Sequence, residues 1–237
     1  MYNYQPARPR RTGRKAVVWI IVVLALLVAA DFGARAYAES VAATKLQQRG
    51  FPAKPHVSIA GFPFLTQVIT RHFSQITITS SNIPAGPLKI TSMTIVADNV
   101  HLSGSFQAGT AGPLHGTILI SLGSLGNALS AASPVTGFLG GGHILTIHSV
   151  GSNEVKGDLN IAGGLVSASA TWTVTASGPN QITLHKVSSS GVFSGLPDTI
   201  TLPLQALPAG LRLNGGLNAS ASGISANVYA ASISFGS

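Results

Sequence analysis

The sequence contains no cysteine. That excludes disulfides, thiolate metal sites, a cysteine nucleophile and a lipid anchor carried on cysteine. Charge is scarce too. Only 8% of the 237 residues are Asp, Glu, Lys or Arg, against about 25% in an average globular domain. Acids are rarest: Asp31, Glu39, Asp98, Glu154, Asp158 and Asp198. General acid–base chemistry needs positioned carboxylates or histidines. Glu154 and Asp158 flank Lys156 in one alternating stretch, so the three share a solvated face and read as structural ion pairing. The histidines, His56, His72, His101, His115, His143, His148 and His185, form no H-x-H, H-x-x-x-H or H-E-x-x-H spacing. A G-x-S-x-G elbow, a P-loop and a G-x-G-x-x-G turn are also missing. The sequence therefore names no catalytic residue, no metal ligand set and no cofactor site, and reads as that of a non-enzyme.

What is present starts with a basic tail. Residues 1–15 carry Arg8, Arg10, Arg11, Arg14 and Lys15 and no acid, so most of the formal charge of +8 sits there. Such a patch can contact nucleic acid. Here it abuts the apolar run AVVWIIVVLALLVAA, residues 16–30, and the rule that positive flanks stay in the cytoplasm accounts for it without a nucleic-acid partner. A fifteen-residue helix covers about 22 Å, short of the roughly 30 Å of a hydrocarbon core. Lys15 can snorkel, and Phe32 to Ala34 can lengthen the span past Asp31. The run fits a signal sequence or a short membrane anchor over 16–34. Ala36-Tyr37-Ala38 resembles a cleavage site that would release the rest of the chain. However, Ala34, Ala38, Val41, Ala42, Lys45 and Leu46 continue a helical spacing until Gly50 and Pro52, which favours a retained, single-pass anchor. In both cases residues 35–237 lie on the extracytoplasmic, periplasmic side.

From about Val57 the period changes to two. Ala168, Ala170, Trp172, Val174 and Ala176 alternate with Ser and Thr, and shorter alternations recur up to residues 224–228. Pro84, Gly86-Pro87, Gly163-Gly164, Gly178-Pro179-Asn180 and Gly215-Gly216 punctuate them. This pattern indicates an antiparallel sheet of many strands. Ile118, Leu122, Leu125 and Leu129 predict a short helix ending near Ser133-Pro134, with Gly140-Gly141-Gly142 a loop beyond it.

One block breaks the rhythm. Gly61-Phe62-Pro63-Phe64-Leu65-Thr66-Gln67 sets aromatics around a proline, where a sheet cannot continue. Two Phe and a Leu make a large apolar load for a strand end. They either plug the core or line a ligand mouth.

This block, VSIAGFPFLTQ over residues 57–67, resembles the LmeA-like phospholipid-binding family of actinobacterial cell-envelope proteins. The apolar N-terminal segment running into an Ala/Glu-containing helix is similar to that family as well. So is the tail pattern Leu207-Pro208-Ala209-Gly210-Leu211 followed by Gly223-Ile224-Ser225-Ala226. A departure falls at Thr70-Arg71-His72-Phe73, where a glycine is expected before the aromatic. The resemblance covers roughly residues 31–237. It implies phospholipid binding in the envelope and, in some members, a part in lipomannan-type glycolipid assembly beside biosynthetic enzymes. It also implies a mostly β, α+β fold: a curved antiparallel sheet wrapped around a helix, as in tubular lipid-binding proteins.

The residues agree with this. A lipid cradle needs an apolar concave face free of buried charge, and after His72 charges are few. The expected site places Phe62, Phe64 and Leu65 at the mouth. Trp172 and Val174 line the interior, and Lys54, Arg71 and His72 stand near a phosphate headgroup. The competing expectation is a non-catalytic envelope scaffold that recruits biosynthetic enzymes and binds no lipid.

Overall fold

The computed structural model describes residues 12–48, 51–132, 145–161, 166–205, 207 and 210–235. The basic tail up to residue 11, Gly50, the expected helix end at Ser133-Pro134, the loop Gly140-Gly141-Gly142, the turn Gly163-Gly164, Pro208-Ala209 and His143 lie outside the described residues.

The chain opens with one long helix, α1 (Thr12–Gln48). It has two environments. Every residue from 17 to 30 is exposed, and the first buried position is Asp31. Beyond it Ala34, Ala38, Val41, Ala42 and Leu46 are half-buried and Ala43 is buried, which is the stripe the spacing anticipates, except that Lys45 points to solvent. The helix is long and apolar enough to cross a membrane. It runs through Ala36-Tyr37-Ala38 without a break.

The rest is mostly antiparallel sheet. Strand β1 (His56–Ala60) leads into α2 (Phe64–Thr70), β2 (His72–Ala85), β3 (Leu88–Leu102), β4 (Gly109–Ala111) and β5 (Leu114–Ile120). Helix α3 (Leu122–Ala132) precedes β6 (Leu145–Ser149), β7 (Glu154–Ile161), β8 (Val166–Ala176) and β9 (Gln181–Ser190). A 3-10 turn at Gly191–Gly195 is followed by β10 (Thr199–Pro203), β11 (Arg212–Ser220), β12 (Gly223–Ala230) and β13 (Ile233–Phe235). The larger sheet runs β1-β2-β3-β5-β12-β11, with β4 and β13 paired beside β3. The smaller runs β10-β9-β8-β7-β6. They meet at β11: Ala219 N–H donates to Ser152 O (2.6 Å) and Leu213 N–H to Pro179 O (2.8 Å), so β11 lies across the turns at one end of the smaller sheet. Helix α3 packs between β3 and β6, burying Leu125, Ala128 and Leu129 in one apolar core shared by both sheets.

Three expectations change. Pro84 does not end a strand. Strand β1 pairs only with residues 75–79 of β2, so the far part of β2 is an edge on that side, where a missing N–H costs nothing. Ile118 belongs to β5, paired with Met93 and Ala226, and not to the helix that starts at Leu122. Gly215-Gly216 is no turn. It lies inside β11, where the register with β12 shifts between Asn214 and Asn218, the irregularity glycine permits in a strand.

Candidate functional site

Helix α1 and strand β1 form an antiparallel pair. Arg35 Nη2 reaches Ser58 Oγ (3.4 Å), and Glu39 Oε1 accepts from the Ile59 N–H (2.7 Å) and from Arg35 Nε (2.9 Å). As α1 rises, β1 descends, so the Gly61–Gln67 block returns to the level of Asp31. There the two segments are locked. Asp31 Oδ2 accepts from the Phe64 N–H (2.9 Å) and Oδ1 from the Leu65 N–H (2.7 Å). These are the first N–H groups of α2, which lack partners within a helix, and Pro63 at the cap supplies no side-chain acceptor. Asp31 is 5% exposed. It thus caps a helix 33 residues away, and the charge-assisted bonds compensate the cost of burying it.

Gly61 makes the entry to the block. Its φ is +102°, and a Cβ there would stand 2.6 Å from Gln67 Nε2. The Gln67 amide in turn donates to Ala60 O (3.1 Å) and accepts from the Ser74 N–H (3.2 Å), tying β1 to β2 across the block. The Phe62-Pro63 peptide is cis. Arg71 closes α2 in the left-handed region (φ 56°, ψ 25°), the conformation for which a glycine is expected at this point of the sequence.

The block's two rings go opposite ways. Phe64 is buried against Phe73, with ring centroids 6.1 Å apart, and plugs this end of the core. Phe62 is 63% exposed and stacks on Phe32 of α1 at 6.3 Å. Leu65 is partly exposed, and Ile69, one turn further along α2, is 81% exposed. Plug and exposed apolar face therefore coexist in one block.

The expected headgroup residues separate. Arg71 and His72 are exposed at the end of α2, and the His72 ring stacks on His101 of β3 at 4.2 Å. Lys54 is elsewhere: its Nζ donates to Ser40 Oγ (3.1 Å), nine residues beyond Asp31 on α1, about 14 Å up the helix. It lines a groove of about 420 Å³ between α1 and β1 together with Glu39, Ala43 and Val57.

Trp172 and Val174 lie in β8 of the smaller sheet, both fully buried. That sheet joins the larger one at β11, five strand spacings or about 24 Å across from β1. The Trp172 ring meets Phe193 edge-on at 6.1 Å and lies over Gly157, whose Cβ, if present, would be 2.9 Å from Cζ3. Trp172 Nε1 is buried without a hydrogen-bond partner among the described residues. The apolar core runs unbroken from Phe64 to Trp172, which connects the two groups although their side chains pair with different rings.

Elsewhere the buried polar side chains among the described residues are Ser80 and Thr183. All described histidines are exposed. Asp158 pairs with Lys156 (3.1 Å) and His148 (3.2 Å) on a solvated strand face, as the alternation predicts. No group of three or more His, Asp or Glu able to hold a metal occurs among the described residues.

The profile of the LmeA-like phospholipid-binding family matches residues 29–227 of this chain. Uncharacterized proteins of Mycobacterium bovis and Mycobacterium tuberculosis are 28% identical to it over 158 residues, which is 65% of this chain and 45% of theirs. The match thus spans about half the length of those relatives. No solved structure matches.

Proposed function

Since the chain belongs to the LmeA-like phospholipid-binding family, we propose that it is a non-catalytic, single-pass envelope protein that holds or hands on one phospholipid, in support of lipid or lipomannan-type glycolipid assembly. Residues 1–15 form the cytoplasmic tail, 16–34 the anchor and 35–237 the extracytoplasmic lipid-binding domain. Phe62, Phe64 and Leu65 form the mouth, and the acyl chain continues along the core toward Trp172 and Val174. Arg71 and His72 meet the headgroup.

The observation that carries this reading is the seam at Asp31. It holds the Phe64 end of the apolar core at the outer end of the anchor, which supports passage of a lipid from bilayer to protein at this point without crossing water. Relative to water each buried methylene contributes about 0.8 kcal/mol, a gain that bilayer and apolar core give alike, so an acyl chain exchanges between them without the cost of exposure to water. The Trp172 N–H, without a partner among the described residues, supports the same reading, because an ester carbonyl would satisfy it. A retained anchor is favoured by the same contacts: cleavage after Ala38 would remove Asp31 and Arg35 from the domain they hold.

Native mass spectrometry of the full-length chain released from detergent tests this. A one-to-one phospholipid adduct that survives detergent removal is expected. A bare protein mass from several mild detergents would replace the reading with that of a scaffold for biosynthetic enzymes.

A further inference from the structure

The apolar run of α1 ends at Ala30, and at about 22 Å it falls some 8 Å short of a hydrocarbon core. The structure puts further apolar surface at that outer end and on the domain itself. Phe32 and Phe62 stack there, both more than half exposed, and α2 turns Leu65 and Ile69 outward beside them. This face cannot swing away. Asp31 grips the start of α2 with two hydrogen bonds, and α1 continues without a break into the contacts with β1.

We infer that the outward face of α2, with Phe62, is a membrane-docking surface that sinks into the outer leaflet of the same bilayer that carries α1. It rests on the reading of α1 as a membrane anchor. Three points select a lipid surface as the occupant. The face is continuous with the exposed span of α1 across the Phe32–Phe62 stack. Its added depth compensates the short span, which would otherwise thin the bilayer or tilt the helix. Finally, Arg71 ends α2 directly behind Ile69 and makes no ion pair among the described residues, which sets a cation at phosphate level. The domain therefore stands upright on the membrane with the Phe64 end of its core pressed to the lipid, instead of tethered at a distance.

The absence of cysteine allows single-site labelling. Phe62→Cys, Leu65→Cys and Ile69→Cys, with Ser81→Cys about 30 Å along β2 as the control, are labelled with an environment-sensitive fluorophore in the full-length chain in phosphatidylglycerol-containing vesicles. Blue-shifted emission quenched by nitroxide-bearing phospholipids is expected at 62, 65 and 69, and iodide quenching at 81. If position 62 is disturbed by loss of its stack, Ile69, which is almost fully exposed, decides alone. Iodide quenching at all four positions overturns the inference, and so does protection from both quenchers at 69, which would indicate a protein partner. Lack of docking in a chain that keeps its phospholipid adduct refutes only the docking. Docking without an adduct refutes the lipid-holding reading and leaves this one intact.

Discussion

Replacing Asp31 with alanine removes both acceptors from the Phe64 and Leu65 N–H groups. Each hydrogen bond to a charged group contributes about 1.5–3 kcal/mol, but the Leu65 amide is only partly buried and regains water, so a net loss of about 2–4 kcal/mol is expected for the seam. Because the bonds join α1 to α2 locally, the loss should appear first as opening of this corner. At about 1.4 kcal/mol per tenfold, it corresponds to roughly 30- to 1,000-fold faster amide exchange at residues 64 and 65. Amides in the central strands β3 and β5 should change far less. Asp31→Asn keeps one acceptor oxygen and should fall between. Hydrogen–deuterium exchange with fragment-resolved mass spectrometry on the detergent-solubilised chain reads this directly. Unchanged exchange at 64 and 65 in the alanine variant, or an equal rise throughout the domain, would refute the seam as the local device argued here.

Gly157→Ala places a methyl against the Trp172 ring and Ile147 Cδ1; such overpacking should cost about 1–3 kcal/mol, seen as a lower midpoint in chemical denaturation. Gly61→Ala combines a left-handed backbone with a collision at Gln67 and should likewise cost about 1–3 kcal/mol by the same measurement. Arg71→Gln should cut the anionic-phospholipid adduct in native mass spectrometry by about fivefold, matching about 1 kcal/mol per cation near the headgroups. Lys54→Glu, whose nitrogen is held at Ser40, should leave it unchanged. N-terminal sequencing of the mature chain should read from its first residues and not from Glu39, and a reporter after Ser237 should be active only where it works outside the cytoplasm.

The helical stripe at 34–46, the alternation in β8 and the buried leucines of α3 were legible because each is a periodicity carried by neighbours in sequence. So was the break at residues 61–67, since proline and clustered aromatics disturb a sheet locally. The role of Asp31 was not. Along the chain it reads as an interruption of an apolar run, and its partners are backbone amides 33 residues away that leave no mark in side-chain identity. For the same reason the opposite fates of Phe62 and Phe64 could not be told from their spacing: they depend on where α1 lies. Lys54 stands close to Phe62 in sequence, yet β1 carries the chain away from it. The Gly157 cradle under Trp172 is a cross-strand relation between β7 and β8, hidden from any single-strand pattern.

The claim that the domain, and not only its anchor, binds phospholipid is tested most directly by photo-crosslinking. The full-length chain is placed in vesicles holding a phospholipid with a diazirine in its acyl chain, and labelled peptides are mapped after irradiation. Label at Phe64 and in the β8 peptide bearing Trp172 and Val174 is expected, beside the unavoidable label on residues 17–30. Label confined to residues 17–30 and the exposed Phe62, Leu65 and Ile69 would mean that the domain touches the bilayer but holds no lipid, and would contradict the account.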